Sequence, residues 1–195
     1  MKKKYKQEYF KYHEGIIVLC PNCGEGAAVK NENSYKLATL ECNHCDLKKK
    51  GYDLMTYKAF VNLYCPVCTH QIRYEQYNLK ERPKTINMNC DACDSQFQIQ
   101  PKIEKYLNSY PKEQGLIHDP VFGCPYYFQI DFNGKLFWAK NREHILEMEN
   151  YVSSHLRTRL PYRMRMVERL PTFIKEAKNR EAILKILQKW KNLYK

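Results

Sequence analysis

The chain has 195 residues, 44% of them hydrophobic and 28% charged, with 33 lysines and arginines against 21 aspartates and glutamates. This composition excludes a disordered polymer, and the absence of any apolar run near 20 residues excludes a helical membrane span. The formal charge of +12 is concentrated, because residues 151–195 carry twelve basic and three acidic side chains, which points to a polyanionic partner.

In chain order, the first segment, 1–14, is basic. Its "MKKKYK" start is followed by no apolar h-region or small-residue cleavage site, so a cytoplasmic location is expected. Next come four Cys-x-x-Cys pairs, 20/23, 42/45, 65/68 and 90/93, holding eight of the nine cysteines. Without a secretory signal this pattern favours metal over disulfides. The pairs fall in an internal repeat: "CPNCGEGAAVKNENSYKLATLECNHCD" and then "CPVCTHQIRYEQYNLKERPKTINMNCDACD". Each copy opens Cys-Pro-x-Cys, closes Cys-x-x-Cys-Asp, and holds two strand-like runs around a polar turn between them. A third run follows each copy, "GYDLMTY" and "SQFQIQ".

Four thiolates bind zinc tetrahedrally and leave no protein-supplied opening, so the reading is two structural Zn2+ ions rather than catalytic ones. Two pairings compete. The sequential one joins Cys20, Cys23, Cys42 and Cys45 around one zinc, and Cys65, Cys68, Cys90 and Cys93 around the other. The cross-braced one joins 20/23 to 65/68 and 42/45 to 90/93. Spacing alone does not decide, but a hairpin inside each copy favours the sequential set. His44 and His70 are expected to lie outside the ligand sets, and Cys124 to be a small buried residue. Gly24 suits the turn after the first knuckle, where positive φ is common, and Thr69 sits at the matching point of the second copy.

These residues make each copy resemble a zinc ribbon of the transcription factor IIB type: Cys20-Pro21-Asn22-Cys23-Gly24 with Cys42 and Cys45, and Cys65-Pro66-Val67-Cys68 with Cys90 and Cys93. The resemblance implies a fold and a metal but no single function, because ribbons serve nucleic-acid-binding and purely structural roles. The expected layout is ribbon 1 over 15–60, ribbon 2 over 61–100, a linker over 101–119, and a hairpin and helical basic domain over 120–195. The fold class is therefore α+β.

In the last region, "YYFQIDFNGKLFWA" reads as a hairpin with a type I′ turn at Asn133-Gly134. A helix follows, capped by Asn141, with Ile145, Met148, Val152 and Leu156 on one face and Pro161 ending it. A last helix from about Pro171 places Ile183, Leu187, Trp190 and Tyr194 on its apolar side, opposite Lys178, Lys185 and Lys189. The stretch from Phe137 to Arg180, "FWAKNREH…YV…LR…LP…KEAKNR", resembles the tail of a family of small bacterial zinc-ribbon proteins, which implies no particular activity.

Arg157, Arg159, Arg163, Arg165 and Arg169 fall within 13 residues, and Lys178, Arg180 and Lys185 extend them. Guanidinium groups match phosphate oxygens bidentately, so these eight are the candidate nucleic-acid contacts, DNA or RNA unresolved. Tyr35, Tyr52, Tyr74 and Tyr77 are candidates for stacking on bases. The leading reading is a non-enzymatic DNA- or RNA-binding protein with ribbons as scaffold. The alternative is an adapter that docks a protein partner. A metal-dependent nuclease ranks third: Asp131, Glu143, Glu147 and Glu149 are the only local acidic group, and no phosphate loop or HExxH motif is present.

Overall fold

A computed structural model describes residues 15–30, 34–154 and 169–193. The fold is α+β, with small antiparallel sheets followed by helices. Ribbon 1 is a four-stranded meander of β1 (Ile16–Leu19), β2 (Gly26–Lys30), β3 (Thr39–Glu41) and β4 (Lys48–Lys50), in that order across the sheet. In ribbon 2, β5 (Met55–Tyr64) pairs with β6 (Gln71–Leu79), and β7 (Ile86–Asn89) pairs with β8 (Gln96–Ile99). The two copies share the order strand, knuckle, strand, turn, strand, knuckle, strand, but β2 pairs with β3 in ribbon 1 whereas β6 and β7 lie in separate sheets in ribbon 2.

Two expectations about these strands change. "GYDLMTY" is no single strand: Gly51–Leu54 is a 3-10 turn, and β5 begins only at Met55. The reason lies at Gly51, where an added Cβ would stand 1.9 Å from the Tyr35 carbonyl oxygen, so the chain turns where two backbones meet. The second change is in 101–119, expected as a linker. It carries β9 (Lys102–Leu107), which pairs with β5 from Met55↔Leu107 to Phe60↔Lys102, giving a sheet ordered β6-β5-β9. That β5 runs across residues 60 and 61 also puts the expected ribbon boundary inside a strand.

The hairpin of β10 (Phe128–Phe132) and β11 (Lys135–Ala139) turns at Asn133 and Gly134, both at positive φ (53° and 73°), as a type I′ turn requires. Helix α1 (Arg142–Ser153) follows, and the Asn141 side chain accepts from the His144 N–H at 2.9 Å. Ile145, Met148 and Val152 are fully buried; Leu156 and Pro161 lie outside the described residues. The last helix departs from expectation. It is split into α2 (Thr172–Lys175), a 3-10 turn at Ala177–Asn179, and α3 (Arg180–Leu193). Asn179 donates from its side-chain amide to the Phe173 carbonyl at 2.9 Å, the acceptor that a continuous helix would give to a backbone N–H. Ile183, Leu187 and Trp190 are buried as expected, and Tyr194 lies outside the described residues.

Three cores result. The largest joins Phe128, Phe137, Met148, Val152, Ile174, Leu187 and Trp190 with Ile17 of ribbon 1. The second joins Val18, Leu40, Cys20 and Cys42 with Val121, Phe122, Cys124 and Tyr126. Consecutive residues of β1 thus point into different cores, as the two-residue period of a strand dictates. The free edge of β1 is closed by the C-terminal region: the Ile17 N–H donates to the Lys140 carbonyl at 2.7 Å and the Leu19 N–H to the Pro125 carbonyl at 2.8 Å. Ribbon 1 and the hairpin and helices are therefore packed together, although the sequence separates them. Ribbon 2 keeps its own small core of Val61, Ile72 and Met88 with Cys65 and Cys90.

Many motif residues of the C-terminal region serve this packing. Asn141 is fully buried; besides capping α1 it donates to the Gly15 carbonyl at 2.7 Å and so ties ribbon 1 to the helix. His144 is buried, its Nδ1 accepts from the Lys140 N–H at 3.1 Å, and its ring stands edge-on to Trp138. Burial, with the Lys140 charge adding to it, pushes the His144 pKa down from 6.5 to about 4. The unfolded chain then binds a proton that the folded chain refuses, so stability is complete above pH 6.5 and falls as the pH drops toward 4. The expected loss is about 3 kcal/mol. Urea unfolding between pH 7 and 4 should show this acid limb flattened in His144→Gln relative to the parent.

Candidate metal centres

Each knuckle spans six residues between paired strand ends. Leu19 pairs with Gly26, Glu41 with Lys48, Tyr64 with Gln71 and Asn89 with Gln96. The first cysteine N–H in each donates to the carbonyl of the sixth residue: Cys20 to Glu25, Cys42 to Leu47, Cys65 to His70 and Cys90 to Ser95, at 2.7–3.0 Å. The fifth residue turns to positive φ in all four: Gly24 (75°), Asp46 (55°), Thr69 (60°) and Asp94 (55°). Glycine takes that conformation freely and aspartate tolerates it. Thr69, β-branched, is the strained member of the set.

This turn brings the sulfurs together. The eight thiols form two groups, Cys20/Cys23/Cys42/Cys45 and Cys65/Cys68/Cys90/Cys93, with the ligand atoms of each within 4.8 Å of one another. The pairing is sequential, not cross-braced. Sulfur separations include 3.5 Å for Cys20–Cys45, 3.7 Å for Cys23–Cys42, 3.8 Å for Cys65–Cys93 and 3.6 Å for Cys68–Cys90. A tetrahedron with metal–sulfur bonds of about 2.3 Å has edges of about 3.8 Å, so the spacing fits a tetrahedral thiolate site. It is far too long for a disulfide, and all nine cysteines are free. Cys20, Cys42, Cys65 and Cys90, the first cysteine of each pair, are the buried ones.

Backbone donors prepare the sulfurs for charge. The N–H groups of Asn22 and Val67 point at Cys20 and Cys65, each at 3.4 Å. Burial works to raise the Cys42 thiol, but the N–H groups of Cys45 and His44 overcome it and hold Cys42 down at about 7. In ribbon 2 the Ser95 hydroxyl, then the Cys68 and Val67 N–H groups, hold Cys65 at about 6. Cys68, despite the His70 N–H, is pushed up to about 12 by the Cys93 sulfur and burial. Four adjacent thiolates repel one another, and a divalent cation at their centre allows all four to ionise.

Ser95 is the residue that sequence reasoning missed. Its hydroxyl lies 3.0 Å from the Cys93 sulfur and 3.5 Å from the Cys65 sulfur. The matching position in ribbon 1 is Leu47, so the repeat gives no hint of a polar role. His44 and His70 are exposed and outside both groups. Cys124 is buried beside Cys20 and Cys42, and burial, with the Asp119 charge, pushes it up to about 12. Among the described residues, the two cysteine groups are the only clusters of three or more metal-competent side chains. The carboxylates weighed for a nuclease are dispersed in role: Asp131 accepts from the Gly134 N–H, Glu149 pairs with Lys191 at 2.8 Å, and Glu147 is buried in α1.

Of the candidate phosphate contacts, Arg157, Arg159, Arg163 and Arg165 lie outside the described residues. Arg169, Lys178 and Lys185 are exposed, and Arg180 is half-buried at the start of α3. Lys178 pairs with Glu176 at 3.5 Å. Tyr35, Tyr52 and Tyr77 are exposed, whereas Tyr74 is half-buried and donates to Gln76 at 2.9 Å. No family model, curated protein or solved structure matches the chain. The tail's resemblance to a bacterial family thus gains no support from comparison, and the ribbon reading rests on the two cysteine groups and their hairpins.

Proposed function

We propose that the chain is a nucleic-acid-binding protein that uses two structural zinc ions to hold its ribbons and a basic C-terminal surface to meet phosphate. Zinc is the ion best suited to four thiolates at these separations, since it favours tetrahedral sulfur and asks for no redox partner. A closed four-sulfur shell leaves no position for substrate, so the metal's part is mechanical. The observation that carries the binding reading is the concentration of twelve basic and three acidic residues over 151–195. Within it, Lys185 and Lys189 are exposed on α3, opposite the buried Ile183, Leu187 and Trp190.

The test is a salt titration of binding to duplex and single-stranded DNA and RNA. Five phosphate contacts give a slope of log K against log[salt] of roughly −4 to −5. No binding to any of these at low salt would sink the reading. The alternative of a protein adapter draws on Val67, which is 70% exposed at the tip of a knuckle. A protein partner retained after nuclease treatment would favour it.

A further inference from the structure

The outward face of the β6-β5-β9 sheet carries chemistry that ribbon folding does not use. Along β5, Ala59 and Val61 are buried inward, as is Cys65 just past its end, while Phe60, Asn62 and Tyr64 alternate outward. Beside them on β6, Ile72 points in, and Arg73 and Glu75 point out, paired with Asn62 and Phe60. On the other side Phe60 pairs with Lys102 of β9. A groove of about 480 Å³ opens along β5, lined by Phe60, Asn62, Arg73, Glu75 and Lys102 and also by the core-side Val61 and Leu63.

Three properties of this groove point the same way. An aromatic ring forms part of it, and a second ring, Tyr64, is 69% exposed two outward positions along the same strand, about 13 Å away. The Asn62 side-chain oxygen accepts from the Gln71 amide at 3.2 Å, and the Asn62 NH2 and the Gln100 amide line the groove beside Phe60. Arg73 and Lys102 stand on flanking strands on either side of β5, and neither forms an ion pair among the described residues. The one groove carboxylate, Glu75, is already matched by Lys58 at 3.1 Å, and Lys58 also lies over the Phe60 and Tyr77 rings. Arg73 donates to the Gln71 side-chain oxygen at 3.4 Å, a neutral partner that leaves its charge unmatched. Rings for stacking, amides for base edges and cations without an ion pair for phosphate form the set that single-stranded nucleic acid requires. A duplex, whose base faces are stacked on one another, could use only the cations.

We propose that this face binds single-stranded nucleic acid, with bases stacked on Phe60 and Tyr64 and phosphates near Arg73 and Lys102. The proposal rests on the nucleic-acid reading above and adds a second, base-contacting surface on ribbon 2. It is tested with the full-length, metal-loaded chain by fluorescence anisotropy, using labelled oligothymidylate, oligouridylate and a duplex. Phe60→Leu and Tyr64→Ala should each weaken single-strand binding about 5- to 150-fold. The salt slope and duplex affinity should not change, because stacking releases no counterions. Arg73→Ala should instead reduce the single-strand salt slope by about 1. Metal content of two ions per chain in each variant reports that the ribbons are intact, and Tyr64 is exposed enough that its loss leaves the core untouched. Unchanged single-strand affinity in Phe60→Leu and Tyr64→Ala would overturn the proposal and leave the basic-tail reading standing. So would binding confined to duplex. Failure to bind any nucleic acid would overturn both.

Discussion

Chelating the metal is expected to unfold ribbon 2 while the C-terminal core stays folded. Ribbon 2 buries little besides Val61, Ile72, Met88 and its own ligand cysteines, too little to order two hairpins without help. Zinc binding to small thiolate modules supplies on the order of 10–16 kcal/mol, comparable to or larger than the whole net stability of a typical domain. Ribbon 1 differs, because Val121, Phe122 and Tyr126 pack onto it and Ile17 reaches the helical core. Hydrogen exchange after chelation should show protection lost first in β5 to β8 and last in α1 and α3. Cys90→Ser should reproduce the ribbon 2 part alone. Full protection of β5 to β8 in metal-free protein would contradict the account.

The second large effect is expected at Asp119. Its carboxylate is fully buried and accepts from three backbone N–H groups: Val121 at 3.0 Å, Phe122 at 2.7 Å and Cys124 at 2.7 Å. These bonds curl residues 119–126 over ribbon 1, helped by Gly123 at φ 77°, where an added Cβ would meet the Tyr110 carbonyl oxygen at 2.5 Å. Burial raises the Asp119 pKa and the three N–H groups work against that rise. Asp119→Ala strands three donors in the core, at a cost of about 3–5 kcal/mol in chemical unfolding. Asp119→Asn keeps one acceptor oxygen, which can serve Val121 and Phe122, and should cost less than half as much. Equal losses in the two variants would mean that the Cys124 bond and the carboxylate charge, not the oxygen shared by Val121 and Phe122, hold the loop.

What could be read in the sequence was written in local signals. The knuckles, the Asn133-Gly134 turn and the Asn141 cap each depend on residues within a few positions of one another. β9 could not be read this way: "KIEKYL" is half polar, and it becomes a strand only because β5, more than 40 residues earlier, offers it an edge. The break before α3 was hidden for a different reason, since it turns on one side-chain amide, Asn179, competing for a helical carbonyl. Asp119 stands at the end of the expected linker, before a proline, and nothing nearby tells that the loop around it is buried. Pairing of the cysteines was left between two schemes by spacing and is decided by where the sulfurs lie, four gathered in each ribbon. The basic residues from 157 to 165 stay legible only as charge.

If the eight paired cysteines are committed to two structural metals, recognition is left to the surface. The most direct measurement is elemental analysis of the purified chain together with X-ray absorption at the metal edge. The account predicts two zinc ions per chain, each with four sulfur neighbours at about 2.3 Å. Fewer than two metals, or a nitrogen or oxygen neighbour in the coordination shell, would contradict it.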